Sequence, residues 1–167
     1  MLGDSITFAG TWQELLDRND IFNAGMPGWT SEQLSLVIRD YVLPKLPVLC
    51  FYNAGINDYS QGITTDRIGK NNKLILDSIH ECGTMPVYQT LLYQLGNYLV
   101  NREIDLLNER MKPFCLVRGY EFLDLRPYLC KDGDLLEEFT YDGTHLSEDA
   151  YLPWTDAMRP VLMKYGL

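Results

Sequence analysis

Ser5 has the residue type and the neighbours of a catalytic nucleophile, because it follows a glycine and an aspartate where the chain is expected to turn. A serine hydroxyl is a poor nucleophile unless an adjacent imidazole takes its proton. The sequence has two histidines, His80 and His145, and His145 lies in a predicted loop just before a helix, with Asp142 three residues before it. A carboxylate at that spacing can fold back onto the ring and fix its tautomer. Ser5, His145 and Asp142 therefore predict a nucleophile, a base and an orienting carboxylate.

Each of these residues also has a purely structural interpretation. His80 lies in the middle of a predicted helix, where we expect a solvated or half-buried side chain and no catalytic role. Asp142 and the glycine after it could form an ordinary turn, with His145 covering the start of the next helix. Serine is itself common in turns. The assignment therefore depends on Ser5, His145 and Asp142 occurring together.

Acyl transfer also requires hydrogen-bond donors aimed at the oxyanion that develops on the substrate. The backbone N–H of Ser5 is one candidate, a glycine at position 28 would allow close approach of a second backbone N–H, and the side-chain amide of Asn57 is a third. Structural alternatives stay open for two of them. Gly28 could be required only by the turn that begins at Met26, and Asn57 could form an Asx turn with Asp58.

The apolar pattern predicts strands that alternate with helices. Strands are expected at residues 1–2, 21–24, 48–52, 85–91 and 120–125, and the continuous apolar run at 48–52 is typical of a parallel strand covered on both faces. This alternation predicts one domain, residues 1–167, around a parallel sheet. The carboxyl ends of such strands are where ligands bind in open α/β sheets.

Helices are predicted between these strands. They are expected at residues 11–18, from Ser31 to the prolines at 44 and 47, at 64–81, at 101–116 and from Ser147 onward. The apolar stripe of the second helix consists of Leu34, Val37, Ile38, Tyr41 and Val42. Residues 92–100 and 126–141 show no clear period and are predicted to be loops.

Composition restricts the classes of partner. Of 167 residues, 46% are hydrophobic and 22% charged, the net charge is −9, and such an acidic surface repels nucleic acid and anionic membranes. We therefore expect no nucleic-acid partner and no membrane insertion; no run reaches the ~20 apolar residues of a membrane span. The four cysteines lack metal-ligand spacing, and Cys50 and Cys115 lie in apolar surroundings, where we expect small buried side chains.

Targeting is weakly constrained because only two residues precede Gly3. Either the first strand is very short or the sequence begins within a longer chain, which would hide any targeting segment. No signal peptide is visible, so we expect a cytoplasmic protein, with secretion or a periplasmic location left open. The sequence indicates no oligomeric state.

Four segments of the chain resemble, in order and spacing, the four sequence blocks of the SGNH hydrolases, also called the GDSL esterase/lipase family. They are Gly3-Asp4-Ser5, the block from Asn23 to Gly28, Gly55-Ile56-Asn57-Asp58 and Asp142-Gly143-Thr144-His145-Leu146. Each block alone is weak, but four in register over nearly the whole chain are specific. The short first strand is the main departure from the family pattern.

The resemblance implies a three-layer α/β/α, flavodoxin-like fold with a five-stranded parallel sheet. It implies that Ser5 is the nucleophile, that His145 is the base and that Asp142 orients it. Ser5, Gly28 and Asn57 would form the oxyanion hole, since Gly28 fits the donor glycine of the second block better than Gly25. Family members of this size generally hydrolyse esters without a metal or organic cofactor, so neither is expected. Many of them remove acetyl groups from carbohydrates.

Three aromatic residues beside these segments, Trp29, Tyr59 and Tyr141, are candidate substrate-binding residues, although packing is the structural alternative for each. Because no long apolar insertion supplies a lid, we predict a short acyl ester. The resemblance to the family implies an acetyl group carried by a carbohydrate. The alternatives are a lipase or thioesterase for longer acyl chains, or a non-catalytic flavodoxin-like ligand-binding module. A binding module would not need Ser5, Asp142 and His145 together. A phosphatase would need a metal cluster or a phosphate-binding glycine loop, and neither pattern appears.

Overall fold

A five-stranded parallel sheet forms the centre of the computed structural model, which describes residues 1–41 and 43–167. Its strands are β1 (Leu2–Gly3), β2 (Ala24–Gly25), β3 (Leu49–Asn53), β4 (Met85–Gln89) and β5 (Glu121–Leu123). Their order across the sheet is β2-β1-β3-β4-β5, and every pair is parallel. This is the flavodoxin-like order, so the predicted fold class is confirmed.

Helices flank the sheet. In the described residues they are α1 (Ser5–Ala9), α2 (Trp12–Leu16), α3 (Ser31–Tyr41), α4 (Ile56–Ser60), α5 (Thr65–Glu81), α6 (Tyr98–Arg118), α7 (Arg126–Leu129) and α8 (Tyr151–Lys164). Helices α3, α5 and α6 pack side by side, and α8 packs against α2 and α7. Because helices cover the sheet, the side chains of β3 and β4 are buried almost throughout.

The strand order places three connections at one point of the sheet edge. β1 lies between β2 and β3, and the chain leaves these strands toward Gly28 after β2, toward Ser5 after β1 and toward Asn57 after β3. The connections from β1 and β3 run in opposite directions across the sheet, which makes this a topological switch point. Open α/β sheets bind ligands in the crevice outside the strand ends at such points.

An aromatic cluster anchors helix α1, whose first residue is Ser5. The ring of Trp12 lies 5.5 Å from that of Tyr151 and 5.3 Å from that of Trp154, edge-on to both. The indole Nε1 of Trp12 donates to Thr7 O at 2.8 Å, and the Tyr151 hydroxyl donates to Ile6 O at 2.8 Å. Both acceptors are carbonyls of α1, so the cluster fixes the helix that carries the candidate nucleophile.

Two boundaries near the start of the chain differ from prediction. The strand predicted at 21–24 is observed as Ala24–Gly25. It is this short because its partner β1 has only two residues, Leu2 and Gly3, with which it can pair. The single helix predicted at 11–18 is observed as α2, and a separate helix, α1, already begins at Ser5. Its start is explained by Asp4, whose side chain accepts a hydrogen bond from Ile6 N as an N-cap.

Two predicted loops contain regular structure. Residues 92–100 include the first turn of α6, because the side chain of Asn97 caps that helix by accepting from Val100 N. Residues 126–141 contain α7 and a two-stranded antiparallel hairpin of β6 (Cys130–Lys131) and β7 (Asp134–Leu135). Its two-residue turn has positive φ at Asp132 and Gly133, as a type I′ turn requires. The predicted apolar position Val42 lies outside the described residues.

The two cysteines in apolar surroundings do not supply an alternative nucleophile. Cys50, Cys82, Cys115 and Cys130 are all free thiols, and Cys50 and Cys115 are buried as predicted. Burial raises the pKa of the Cys50 thiol to about 11 and that of Cys115 to about 12. Both therefore stay protonated and unreactive near neutral pH.

A cavity of about 180 Å³ lies at the amino ends of the strands, on the opposite edge of the sheet from Ser5, where Met1, Phe22, Leu49 and Cys50 contribute to its lining. Its position separates it from the candidate site residues. Among the helices of residues 1–41 and 43–167, none has the length and apolar character needed to cross a bilayer.

Candidate active site

Ser5, His145 and Asp142 lie in one hydrogen-bonded row. Ser5 Oγ is 3.0 Å from His145 Nε2, and His145 Nδ1 is 2.7 Å from Asp142 Oδ2. A carboxylate can only accept, so the proton of the neutral ring is on Nδ1 and Nε2 is free to accept from the serine hydroxyl. The arrangement can transfer a proton from Ser5 to His145 while Asp142 stabilises the resulting charge.

Asp142 also orders the backbone that carries His145. Its Oδ1 accepts from Thr144 N at 2.9 Å and from His145 N at 2.7 Å. Burial alone would raise the pKa of Asp142, but hydrogen bonds from the His145 ring and from the two backbone groups hold that pKa below its ordinary value. The side chain is therefore ionised at neutral pH, as an acceptor for Nδ1–H must be.

Thr140 closes the loop that carries these residues. Its hydroxyl donates to His145 O at 2.7 Å and accepts from Gly143 N at 2.9 Å, and an isolated antiparallel bridge joins Thr140 to Leu146. Sequence reasoning missed this residue. The available signal was its hydroxyl two residues before Asp142, at a spacing from which threonine commonly bonds nearby backbone.

The loop between β4 and α6 is hydrogen-bonded to the segment that carries Asp142 and His145. Leu95 N donates to Gly143 O at 2.8 Å, and Gln94 Nε2 donates to Thr144 Oγ1 at 2.9 Å. These two contacts connect the β4 edge of the sheet to the loop of His145. The sequence analysis did not single out Gln94 or Leu95, because their contact with the His145 loop joins segments that are distant along the chain.

Gly28 stands at the exposed corner of a tight turn. Trp29 N donates to Met26 O at 3.2 Å, with Pro27 and Gly28 as the central residues and φ of +79° at Gly28. Proline followed by a residue with positive φ is the pattern of a type II turn, whose hydrogen bond does not use the N–H of Gly28. A Cβ at Gly28 would meet nothing within 4 Å, so this side of the turn is open to a ligand.

Gly25, the other glycine of that segment, is occupied in packing. Its N–H donates to Asn23 Oδ1 at 2.9 Å, and a Cβ there would lie 2.2 Å from Phe8 N. Gly25 therefore has neither a free donor nor space above it. The geometry favours Gly28 as the candidate donor.

The amide of Asn57 is held in a fixed orientation. Its Nδ2 donates one hydrogen to Trp29 O at 2.9 Å. An amide nitrogen carries two hydrogens, so the second is available to a ligand. The contact also ties Asn57 to the residue directly after Gly28.

Asp4 lies fully buried next to Ser5. Its Oδ1 accepts from Ile6 N at 3.0 Å, and within the described part of the chain its Oδ2 has no hydrogen-bond partner. Burial raises the pKa of Asp4 to about 6, the Asp58 carboxylate adds to the increase, and the Ile6 N–H and the His145 ring oppose it. The sequence placed Asp4 in the Ser5 segment but did not predict this perturbed carboxyl.

The three aromatic candidates have different surroundings. The ring of Tyr141 is 73% exposed and stacks on the ring of His145, 5.9 Å between centroids and 12° from parallel. Trp29 is half-buried beside Gly28. Tyr59 instead uses its hydroxyl to donate to Glu103 O of α6 at 2.9 Å, so its ring is engaged in packing between helices.

Neither the second histidine nor a cluster of metal ligands contributes to this site in the described part of the chain. His80 is exposed and packs 5.1 Å from the ring of Tyr120, near the end of α5. In residues 1–41 and 43–167, no three or more histidine, cysteine, aspartate or glutamate side chains are grouped so that they could hold a metal ion.

Comparison with known proteins extends these findings. Residues 1–152 match the model of the GDSL-like lipase/acylhydrolase family. An N-acylneuraminate cytidylyltransferase of Streptococcus agalactiae is 29% identical over 101 residues, which are 60% of this chain and 24% of that protein. The match thus covers about a quarter of the length of this curated relative.

Solved structures support the fold. A GDSL-like lipase from Bacteroides thetaiotaomicron is similar with a TM-score of 0.86 and 20% identity, over 98% of this chain and 86% of that one. The acetyl xylan esterase AlAXEase is similar with a TM-score of 0.80 and 19% identity, over 96% and 97% of the two chains. At such identities the likeness concerns the fold alone.

The raised pKa of Asp4 predicts a specific dependence of stability on pH. Because that pKa, about 6, exceeds the ordinary value of 3.8, the folded protein loses stability as the pH rises from about 4 to about 6. Asp4→Asn keeps a cap acceptor and cannot ionise. We expect the free energy of unfolding of the variant, minus that of the wild type, to increase by up to about 3 kcal/mol between pH 4 and pH 7.

Urea denaturation at four pH values between 4 and 7 measures this difference. Asp20→Asn is the control, since Asp20 is an exposed carboxylate paired with Arg18 and its pKa is lowered, mainly by the hydrogen bond from Arg18. That variant should gain no stability relative to the wild type as the pH rises. A pH-independent difference for Asp4→Asn would show that Asp4 does not ionise with a raised pKa.

Proposed function

The chain belongs to the GDSL-like lipase/acylhydrolase family of carboxylic ester hydrolases, and we propose that it hydrolyses short acyl esters through Ser5, His145 and Asp142. The observation that carries the proposal is the row of contacts from Ser5 Oγ to His145 Nε2 at 3.0 Å and from His145 Nδ1 to Asp142 Oδ2 at 2.7 Å. In the proposed reaction Ser5 is the nucleophile, His145 the general base and acid, and Asp142 the group that orients the ring.

The proposed reaction has two halves. His145 Nε2 takes the hydroxyl proton while Ser5 Oγ bonds to the ester carbonyl carbon, and the carbonyl electron pair moves to the oxygen. The bond to the leaving alcohol then breaks, and His145 gives that alcohol its proton. Water attacks the acyl-enzyme in the same way, which releases the acid and restores Ser5.

The oxyanion of each tetrahedral intermediate needs donors that are already in place. We assign this role to the N–H groups of Ser5 and Gly28 and to the second amide hydrogen of Asn57. The open space over Gly28 and the anchored amide of Asn57 support the assignment. The three donors follow β1, β2 and β3, so they converge on the switch point of the sheet.

A narrow cavity next to the candidate site supports a short acyl group. A cavity of about 10 Å³ is lined by Ile6, Ile56 and Thr144, the chain neighbours of Ser5, Asn57 and His145, together with Leu91 and Leu92. A volume of this order accommodates about one water-sized group. An acetyl methyl fits such a space, whereas a longer chain would require these side chains to move.

A carbohydrate is the proposed carrier of the ester. The structural neighbour AlAXEase is an acetyl xylan esterase, and the curated relative bears the name of an enzyme for N-acylneuraminate, also a sugar. Tyr141 presents an exposed ring beside His145, and Trp29 lies next to Gly28. Aromatic faces of this kind provide flat apolar surface for a sugar ring. We therefore propose an acetyl ester on a carbohydrate.

A second candidate substrate is a longer acyl ester. The exposed apolar residues Leu95, Tyr98 and Leu99 follow β4 where its loop contacts Gly143, with exposures of 38%, 71% and 75%. A chain that leaves the narrow site could lie on them. This observation favours a lipase or thioesterase as the alternative.

Replacing Ser5 tests the reaction class. Ser5→Ala should lower the rate of p-nitrophenyl acetate hydrolysis by about 10⁴-fold or more, because no nucleophile remains. It should also abolish labelling by a fluorophosphonate probe while the circular dichroism spectrum stays unchanged. Ser35→Ala is the matched control, since the Ser35 hydroxyl only donates to Glu32 O within α3. Undiminished hydrolysis by Ser5→Ala, or a folded wild type that does not label, would contradict the proposal.

Acyl length is tested with acetyl, butyryl and octanoyl p-nitrophenyl esters. We expect kcat/KM to fall with chain length, since the cavity beside Ile6 and Ile56 admits little more than a methyl group. A preference for octanoyl would support the lipase or thioesterase alternative. Release of acetate from an acetylated xylo-oligosaccharide, measured in parallel, tests the carbohydrate part of the proposal.

A further inference from the structure

Asp58 is a fully buried carboxylate whose role the proposed reaction leaves unassigned. It follows Asn57 on α4, and both of its oxygens are used by one residue of another helix. Ser31 N donates to Asp58 Oδ2 at 2.8 Å, and Ser31 Oγ donates to Asp58 Oδ1 at 2.6 Å. Ser31 is the first residue of α3, so the carboxylate also lies at the positive end of that helix.

A second contact runs beside the first. Asn57 Nδ2 donates to Trp29 O at 2.9 Å, so two adjacent residues of α4 hold two residues of the segment 29–31. That segment begins directly after Gly28. The pair of contacts therefore connects the two candidate oxyanion donors that come from different strands, Gly28 after β2 and Asn57 after β3.

The direction of each hydrogen bond in this cluster is fixed. Asn71 Nδ2 donates to Ser31 Oγ at 2.9 Å, so the serine hydroxyl accepts from Asn71 and donates to Asp58. Ser31 thus offers two donors, its N–H and its O–H, to the two oxygens of one carboxylate. Ser31 is fully buried and Asn71 is 6% exposed, which leaves little water to replace a lost partner.

We propose that Asp58 is a positioning residue of the oxyanion hole, and that it sets the separation of the Gly28 N–H from the Asn57 amide. This inference rests on the proposed function. Oxyanion donors act only when they are held about 2.7–3.1 Å from the developing charge. A shift of about 1 Å between reacting and stabilising groups can lower a rate by ~10²-fold. The buried cluster fixes α4, which carries Asn57, to the segment that follows Gly28.

Asp58→Asn is the direct test, because asparagine has the same shape but only one acceptor oxygen. Its amide nitrogen must face either the N–H or the O–H of Ser31. Facing the N–H, it makes no hydrogen bond there; facing the hydroxyl, it can only donate to Ser31 Oγ, so the Ser31 O–H loses its carboxylate acceptor. We expect kcat for p-nitrophenyl acetate to fall about 10-fold to 100-fold while KM stays within about twofold. A lower kcat at an unchanged KM means that stabilisation of the transition state alone is lost, which is the result expected of a displaced oxyanion donor.

A double-mutant cycle with Asn57→Ala separates positioning from general damage to the fold. Asn57→Ala alone should lower kcat by about 10²–10³-fold. If Asp58 acts through this amide, the two losses should combine to less than their product. Stability is measured for every variant, and a purely structural role would lower Tm without this coupling.

Asp77→Asn is the matched control for the loss of a carboxylate. Asp77 accepts from the Tyr120 hydroxyl at 2.8 Å and from Arg118 at 3.1 Å, near the amino end of β5 on the opposite edge of the sheet. The kcat of Asp77→Asn should equal that of the wild type. If Asp58→Asn does not fold, Ser31→Ala replaces it. That variant removes the hydroxyl and its bonds with Asp58 and Asn71 but keeps the bond from the residue 31 N–H to Asp58, so it should lower kcat less, in the same direction.

The outcomes are distinguishable. Wild-type hydrolysis that Ser5→Ala abolishes supports the proposed function whatever Asp58→Asn does. Given that result, a kcat for Asp58→Asn within twofold of wild type would overturn the positioning role. Losses that multiply fully in the double variant would overturn it as well. A selective loss of kcat with coupling to Asn57 supports it.

Discussion

The hydrogen bond between Ser5 Oγ and His145 Nε2 is the interaction on which the site depends, and it joins residues 140 positions apart. One partner starts a helix directly after β1, and the other lies on a loop near the last helix. The bond forms only if both are brought rigidly to the same edge of the sheet. The aromatic cluster under α1 holds the first, and Thr140 with the loop after β4 holds the second.

The sequence predicted the fold because the apolar pattern of each strand reflects its burial in the sheet. A continuous apolar run identified β3, and both β3 and the predicted strand β4 are buried almost throughout. Prediction failed at two boundaries. The strand β2 is short because β1 offers two residues for pairing, a contact distant along the chain, and α6 starts early because the nearby side chain of Asn97 caps it. The hairpin after α7 was missed because its strands of two residues each are too short to show a period.

The sequence named the residues of the candidate site but not the contacts that support them. The structure brings Ser5, His145 and Asp142 together, whereas Tyr59 packs against α6. The preference for Gly28 over its neighbour glycine depends on a type II turn and on open space, neither of which a residue name reveals. Buried carboxylates beneath the site could not be foreseen either, because burial and the identity of the donors are properties of the folded chain.

The most direct test of the account is a crystal structure of the protein after reaction with a fluorophosphonate. The account predicts a phosphorus bonded to Ser5 Oγ, with its phosphoryl oxygen about 2.7–3.1 Å from the N–H groups of Ser5 and Gly28 and from Asn57 Nδ2. His145 Nε2 would lie within hydrogen-bond distance of the Ser5 oxygen or the leaving-group position. An adduct on another residue, or a phosphoryl oxygen turned toward solvent, would contradict the assignment of the nucleophile or of the oxyanion hole.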